Sequence, residues 1–365
     1  MKAAVLRAYR APLSIEEIDL LPPKSGEIRV RFAASGVCHS DMGRIEGARA
    51  SSLPIVLGHE ASAYVEELGP GVTGFEIGDR VVLSFIYDCT ECYFCRSGHP
   101  NLCEVGMGML RNGTMPDGTT RLRKGDEVLH HMTVSSFAEQ AVLPARCATK
   151  IPDDMSMDVA ALIGCAVLTG TGAVFNAAPV SPGDSVLVIG AGGVGLNTVQ
   201  AAAIAGATTI IVSDMNPEKL KLAQSFGATH LVDARNEDPV AKAKELTQGR
   251  GVDFAFEAIG NKVTIQQCYD ALRSAGKAIV VGVAEVGHCC EIEAQTLPFT
   301  EKTLTGSMYG GARPGLDVER LIDLYSSKRL RLDELISQTY RLEQINEAFH
   351  DLHEGRLARG LIRYE

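Results

Sequence analysis

Between Asp184 and Asp214 the chain carries no charge at all. Read in order, that stretch is a β-branched run (SVLVI), a glycine loop, an alanine-rich segment and a second β-branched run (TIIVS). Short continuous apolar runs of this kind suit strands buried on both faces, as in a parallel sheet covered by helices. The runs VDFAFE and AIVVG continue the pattern, with helical segments between them. Alternation of strand and helix predicts βαβ units and a doubly wound parallel sheet. The uncharged stretch is also long enough to cross a bilayer. Its repeated glycines, with Asn197, Thr198 and Gln200, fit a buried strand, helix and strand better.

The helix after TIIVS has marked ends: Asn216 to cap it, Pro217 for its first turn and Gly227 past its last. The first 165 residues read differently. Short alternating runs such as Glu27–Phe32 and Arg80–Ser84, cut by Gly, Pro and Asp, predict a mostly β domain. Turn-rich Glu104–His131 reads as a long surface loop. Beyond Met308 the expectation is helices over Asp317–Ser327 and Leu342–Glu354, then a short strand, GLIRY, returning to the first domain. With 45% apolar and 22% charged residues in 365, a sizeable core is available and disorder is excluded. The net charge of −10 argues against nucleic acid and against anionic membranes. The opening MKAAVLRAYRAPL has no continuous apolar core, so the sequence predicts no secretory signal and a cytoplasmic protein.

Gly190, Gly192 and Gly195 form G-x-G-x-x-G, with Gly193 inside it, directly after the first strand and before the helix. The first glycine allows the tight turn, the second lets a pyrophosphate approach the backbone, and the third lets helix and strand pack closely. A helix N-terminus then faces the phosphate charge. Asp214 ends the next strand at about the distance, roughly 20 residues, expected of a carboxylate for the adenosine ribose. Met215 follows it, so a 2′-phosphate meets a carboxylate and no cation. NAD is favoured over NADP.

The chain has ten cysteines, and without export the default reading is metal or catalysis rather than disulfides. Cys89, Cys92, Cys95 and Cys103 are spaced C-x2-C-x2-C-x7-C. Thiolates at such intervals wrap one ion, and four of them close a tetrahedron, which points to structural zinc. An iron–sulfur cluster is the competing reading, although those runs close with C-x3-C-P. Asp88, Glu91, Arg96 and Glu104 give no basic excess for a nucleic-acid zinc ribbon.

With GVCHSD at Gly36–Asp41, GHE at Gly58–Glu60 and GCAVLTG at Gly164–Gly170, the sequence closely resembles the zinc-dependent medium-chain alcohol dehydrogenases, over nearly its whole length. The resemblance implies a GroES-like catalytic domain at 1–166, an NAD-binding Rossmann domain at 167–308 and a return to the catalytic domain at 309–365. It implies a catalytic zinc on Cys38, His59 and Cys165, with one position left open, beside the structural zinc. Such a zinc lowers the pKa of a bound alcohol, from which hydride leaves to the nicotinamide.

Further roles carry over by resemblance. Ser40 passes the alcohol proton away, Asp41 orients His59, and Glu60 lies behind the zinc. Arg359 lies near the pyrophosphate and Glu60. Thr169 meets the carboxamide, Val194 packs on the nicotinamide, and Lys219 lies near the adenosine ribose. His39 stands where an arginine often meets the pyrophosphate. Gly43 stands where many members place the histidine that ends the proton relay, which leaves water or a group near Arg44. Cys147, Cys268, Cys289 and Cys290 match nothing and read as packing residues.

By the same analogy Phe85, Met132 and Met308 line an apolar substrate channel suited to a primary alcohol with an aromatic, allylic or medium aliphatic tail. Three readings follow: an NAD-dependent alcohol dehydrogenase, a thiol-adduct dehydrogenase acting on hydroxymethyl or nitroso derivatives, or a zinc- or redox-responsive binding protein without turnover. Met107, where thiol-adduct enzymes resemble one another in having arginine, weighs against the second. The long 104–131 segment resembles that of dimeric members, which implies a homodimer joined edge to edge through the parallel sheets.

Overall fold

A computed structural model describes residues 1–365. The chain forms two compact units, Met1–Cys165 with Arg313–Asp323 and Leu332–Glu365, and Ala166–Ala312 with Leu324–Arg331. The first unit is mostly β, with two sheets. One is built on the long strand Glu27–Val37, whose alternating Ile28, Val30 and Phe32 are fully buried. Ala61–Leu68 and Gln140–Pro144 pair with it antiparallel. The closing strand Arg359–Arg363 also runs antiparallel to it, with Gly360 opposite Val37. The second sheet takes in Lys2–Leu6, Ser14–Glu17, Ile55–Val56 and Glu127–His131.

The second unit is a six-stranded parallel sheet in the order His230–Asp233, Thr209–Asp214, Ser185–Ile189, Val252–Glu257, Leu272–Val280, Thr303–Gly306. Every residue of Ser185–Ile189 is buried, as its unbroken apolar run requires. The following helix, Gly193–Ala205, is apolar nearly all round and correspondingly buried. Asn216 caps Pro217–Ser225 by accepting from the Glu218 N–H.

Two expectations need correction. Residues 104–131 are not a bare loop: they hold the helix Glu104–Asn112 and an antiparallel hairpin of Leu122–Lys124 with Glu127–His131. Turn residues concealed the helix, whose face is held by buried Gly106 and Met109. Cys147 and Cys268 are buried, but Cys289 is exposed and Cys290 partly so, because the segment after Val280 leaves the sheet for the surface. Leu324–Arg331 groups with the second unit, where Gln200 bonds the Arg331 backbone at both ends of its amide.

One helical run, Met157–Ala177, is long and apolar enough to cross a membrane by composition, but it is mostly buried in the protein. It alternates α- and π-helical turns, and Cys165 lies in the π-helical turn Ile163–Val167. Such turns concentrate at functional sites.

Buried histidine gives the fold an acid limit. His131 ends Glu127–His131 at 2% exposure, and burial, helped by Arg121, lowers its pKa to about 4. An unfolded histidine titrates near 6.5, so between those values the unfolded chain binds the extra proton. This group's stability is complete above about pH 6.5 and is lost as the pH falls towards 4. Urea unfolding of H131Q should lose about 2 kcal/mol less than the parent between pH 7 and 4.5.

Candidate functional site

Three adjacent strand ends meet at one end of the long-strand sheet. Cys38 follows Val37 and is the N-cap residue of the helix His39–Ile45. His59 and Glu60 immediately precede Ala61–Leu68, and Arg359 opens the last strand. The turn that delivers His59 requires Gly58, at φ +91°, where a Cβ would lie 2.5 Å from Ser136 Oγ. Cys165 arrives on its π-helical turn.

Cys38, His59, Glu60 and Cys165 are all buried, and one ligand atom from each lies within 4.8 Å of the others. His59 Nδ1 lies 3.1 Å from Asp41 Oδ1, which also accepts the Gly58 N–H. His59 Nε2 and Glu60 Oε1 are buried without hydrogen-bond partners. Burial works against an imidazolium here, but the Asp41 carboxylate outweighs it and holds His59 up at about 10. The Cys38 thiol is well below its ordinary value because Cys165 hydrogen-bonds it, and Cys165 is correspondingly raised. With one thiol lowered and its neighbour raised, the pair would take a soft divalent cation in place of the proton between them. Burial pushes Glu60 up to about 7, against the pull of Arg359, which it meets in a buried ion pair. An orphaned imidazole nitrogen beside two such sulfurs is a donor set that suits zinc.

Ser40 Oγ lies 3.6 Å from Cys38 Sγ. The Phe85 ring stands edge-on to His59 at 5.1 Å between centroids, and Met132 is 4% exposed. Met308 is half-buried in the second unit. Nothing lies within 4 Å of a Cβ added at Gly43, so that position is open. Arg44, one turn beyond Ser40, is buried and donates to Ser51 Oγ at 2.6 Å.

The second cluster, Cys89, Cys92, Cys95 and Cys103, is held in a small lobe. Cys89 and Cys95 sulfurs lie 4.0 Å apart, near the ~3.8 Å edge of a tetrahedron with metal–sulfur bonds of about 2.3 Å. Backbone N–H groups of Cys92, Cys89 and Gly106 point at sulfurs at 3.3 to 3.5 Å. N–H groups of this kind favour the thiolate, and those of Cys95 and Glu104 bring Cys92 down to about 6. Burial pushes Cys95 up to about 12.

In the second unit Gly190 turns at φ +101°, and a Cβ at Gly195 would lie 1.7 Å from the Gly190 carbonyl oxygen. Gly192, N-cap of the helix Gly193–Ala205, has open space where a Cβ would stand. The loop is a cradle for an anion at a helix N-terminus. Asp214 accepts the Ala191 and Asn216 N–H groups at 2.7 and 2.8 Å, which fixes its carboxylate beside that loop. Thr169, Val194 and Lys219 are each partly exposed in this unit, and His39 is exposed in the first.

Family comparisons agree with this geometry. A model of the "Alcohol dehydrogenase GroES-like domain" matches residues 24–153, and one of "Zinc-binding dehydrogenase" matches 193–327. The chain is 40% identical to alcohol dehydrogenase class-3 of Drosophila melanogaster, covering 100% of this chain and 97% of that one. It is 38% identical to S-(hydroxymethyl)glutathione dehydrogenase of Komagataella pastoris, over 99% and 97%. The benzyl alcohol dehydrogenase of Acinetobacter calcoaceticus superposes with a TM-score of 0.95 at 33% identity, over 100% and 99%.

The chain belongs to the zinc-dependent medium-chain alcohol dehydrogenases. It is therefore an oxidoreductase, and the reading as a binding protein without turnover is set aside. Its fold is the GroES-like domain plus Rossmann-type domain of that family, and the two buried and half-buried cysteine clusters are where such a member has donors for zinc.

Gly36, which opens the GVCHSD segment, has a steric role that its place in that segment does not show. Its Cβ would lie 2.5 Å from Glu60 Cδ. Glycine there lets Glu60 reach Arg359. Asp41 gives a direct test. With Asn in its place the imidazole loses its charged partner, and zinc affinity of the buried cluster should fall about 10–100-fold. Chelator competition on the D41N protein measures it.

Proposed function

We propose that the chain catalyses the NAD-dependent, reversible oxidation of a primary alcohol with an aromatic, allylic or medium aliphatic tail to its aldehyde. The observation that carries this reading is the buried Cys38, His59 and Cys165 cluster with its orphaned Nε2. Zinc bound by these three residues supplies a Lewis acid for the alcohol oxygen. The chain's own groups do the rest. Asp41 fixes the His59 ring, and Ser40 Oγ takes the hydroxyl proton from the substrate and passes it towards solvent at the open Gly43 position. Glu60, backed by Arg359, stands behind the ligands. The four cysteines of the lobe hold a second, structural zinc.

Gly190, Gly192, Gly193 and Gly195 receive the coenzyme pyrophosphate, with Arg359 and His39 adding positive charge. Thr169 and Val194 orient the nicotinamide, Asp214 takes the adenosine ribose hydroxyls, and Lys219 lies beside them. NAD rather than NADP is supported by the fixed Asp214 carboxylate and by the neighbouring Met215, 67% exposed and uncharged. Residues 1–166 with 309–365 are taken as the catalytic domain and 167–308 as the NAD-binding domain.

The three side chains assigned to the substrate by resemblance, Phe85 and Met132 in the first unit and Met308 in the second, are all apolar and offer no partner for a carboxylate or phosphate. Such side chains discriminate poorly among similar tails. A thiol-adduct substrate lacks support from Met107, which offers no charge. As to assembly, Thr303–Gly306 is the edge strand of the parallel sheet, and Val283, Val286 and Phe299 before it are 59%, 92% and 81% exposed. That uncovered edge supports a homodimer joined sheet to sheet. Light scattering should give twice the chain mass, and F299D should bring it towards one.

The deciding experiment is zinc per chain together with NADH production from benzyl, allylic and straight-chain alcohols. Two zincs with turnover of these alcohols, and no requirement for a thiol, is the expected result. Turnover only with a hydroxymethyl thiol adduct transfers the assignment to that substrate. One zinc or none in folded, unstripped protein overturns the catalytic cluster. Cys38→Ser should leave one zinc and cut kcat by at least a factor of about 100, in keeping with loss of a whole catalytic device.

A further inference from the structure

The second unit hides a carboxylate that no role above uses. Glu257 ends the strand Val252–Glu257, opposite Ile189 on one side and Val280 on the other, and it is 0% exposed. That register puts it at the carboxyl end of the parallel sheet, one residue short of the glycine loop. Ligands of open α/β sheets bind in the crevice at that end.

All the donors that its carboxylate meets are neutral. Ile259 N–H donates at 3.0 Å, Gly260 N–H at 2.8 and 3.0 Å to the two oxygens, and Thr264 Oγ1 at 2.7 Å. Its main-chain carbonyl accepts from both Val281 and Gly282, each at 2.9 Å. One residue therefore ties the loop after its own strand to the loop after the neighbouring strand. A buried carboxylate satisfied only by neutral groups is costly to desolvate, and apolar packing serves stability better. Asp253, the other buried carboxylate of this strand, meets Arg273, whereas Glu257 has only neutral partners and stands at the ligand-binding end of the sheet, which calls for a use.

That use follows from what the tied loop touches. The side chain of Ile259 lies against the glycine loop, 2.7 Å from where a Cβ at Gly190 would stand. Gly260, at φ +90°, is so tight on the next loop that its Cβ would lie 2.5 Å from the Val283 backbone. At Gly282 a Cβ would be 2.1 Å from the Gly260 nitrogen and 2.6 Å from the Glu257 carboxylate. The two loops thus interlock through glycines, with the carboxylate as the polar centre of the lock.

We propose that Glu257 is a positioning residue for the dinucleotide: its carboxylate holds Ile259 and the loop 258–261 at the glycine loop and thereby sets the wall along which the coenzyme lies. This rests on the dinucleotide reading of the Gly190–Gly195 loop. Glu257 touches neither substrate nor reacting atoms, so its effect falls on coenzyme binding and not on the chemical step.

The test uses the intact zinc-loaded protein, with NADH and NADPH each titrated by fluorescence and NAD kinetics taken at saturating benzyl alcohol. Glu257→Gln keeps the size but turns an NH2 group towards the donor Gly260 N–H. Thr264→Val removes one hydroxyl donor and leaves the carboxylate two backbone partners, so it folds even if the first variant does not. The expected result is a KM for NAD and a Kd for NADH raised about tenfold in E257Q and two- to threefold in T264V, with kcat and the KM for alcohol within twofold of the parent. Thermal melting and active-site titration run alongside. A lowered melting temperature in T264V with coenzyme Kd unchanged makes the carboxylate a purely structural staple and overturns the proposal. Unchanged coenzyme binding in a folded E257Q overturns it equally. If the parent binds neither NADH nor NADPH, the dinucleotide reading itself falls, and the proposal with it; if it binds NADPH alone, the same comparison is made with that coenzyme.

Discussion

The ion pair between Glu60 and Arg359 is the contact on which the buried cluster depends. Both groups are out of water, and Arg359 is a base held above its ordinary range by the carboxylate and the cysteine sulfurs, against the cost of burial. Breaking such a pair by removing one partner leaves an uncompensated buried charge, a loss of about 3–5 kcal/mol. It also joins residues 299 positions apart in the chain. The last strand of the protein is thereby tied to the residue next to His59, and the ladder between Gly360 and Val37 holds Cys38 alongside.

The geometry around that pair is set by absence of side chains as much as by their presence. Gly36 leaves room for the Glu60 carboxylate. At Gly164, next to Cys165, a Cβ would lie 2.3 Å from the Leu83 carbonyl oxygen. The helix bearing Cys165 can therefore press onto the sheet only with glycine there, and the π-helical turn places the sulfur. The ligands come from three segments that are far apart in sequence, and close packing of backbone on backbone fixes them. In the second unit the same device recurs, with Gly195 on Gly190 and Gly282 on Gly260. Metal cluster and anion loop are thus both set by close backbone packing, the kind of preorganisation that lowers the ordering cost of binding.

Much of this is legible in the residues. The buried parallel strands, the Asn216 cap and the glycine loop each follow from local pattern, since a doubly covered strand must be apolar throughout and an N-terminus needs a capping acceptor. The four-cysteine lobe is equally local, because its ligands fall within one short stretch. The segment 104–131 reads as loop because glycines and charges obscure a helix held by only two buried residues, Gly106 and Met109. Cys289 and Cys290 illustrate another limit: a cysteine's type suggests burial, while its actual exposure depends on where the chain leaves the sheet.

Sequence by itself determined the class of fold, the spacing of the lobe cysteines and the identity of the glycine loop, because each rests on residues close in the chain obeying strand, helix or chelate geometry. Spacing alone does not join Cys38, His59 and Cys165; only resemblance to a family did so. Tertiary structure decided which atoms face one another: Nε2 orphaned beside two sulfurs, Glu60 against Arg359, Glu257 between two loops. Those relations depend on backbones approaching within a few ångströms across long separations in the chain, and such distances are set by packing rather than by any periodicity a sequence displays.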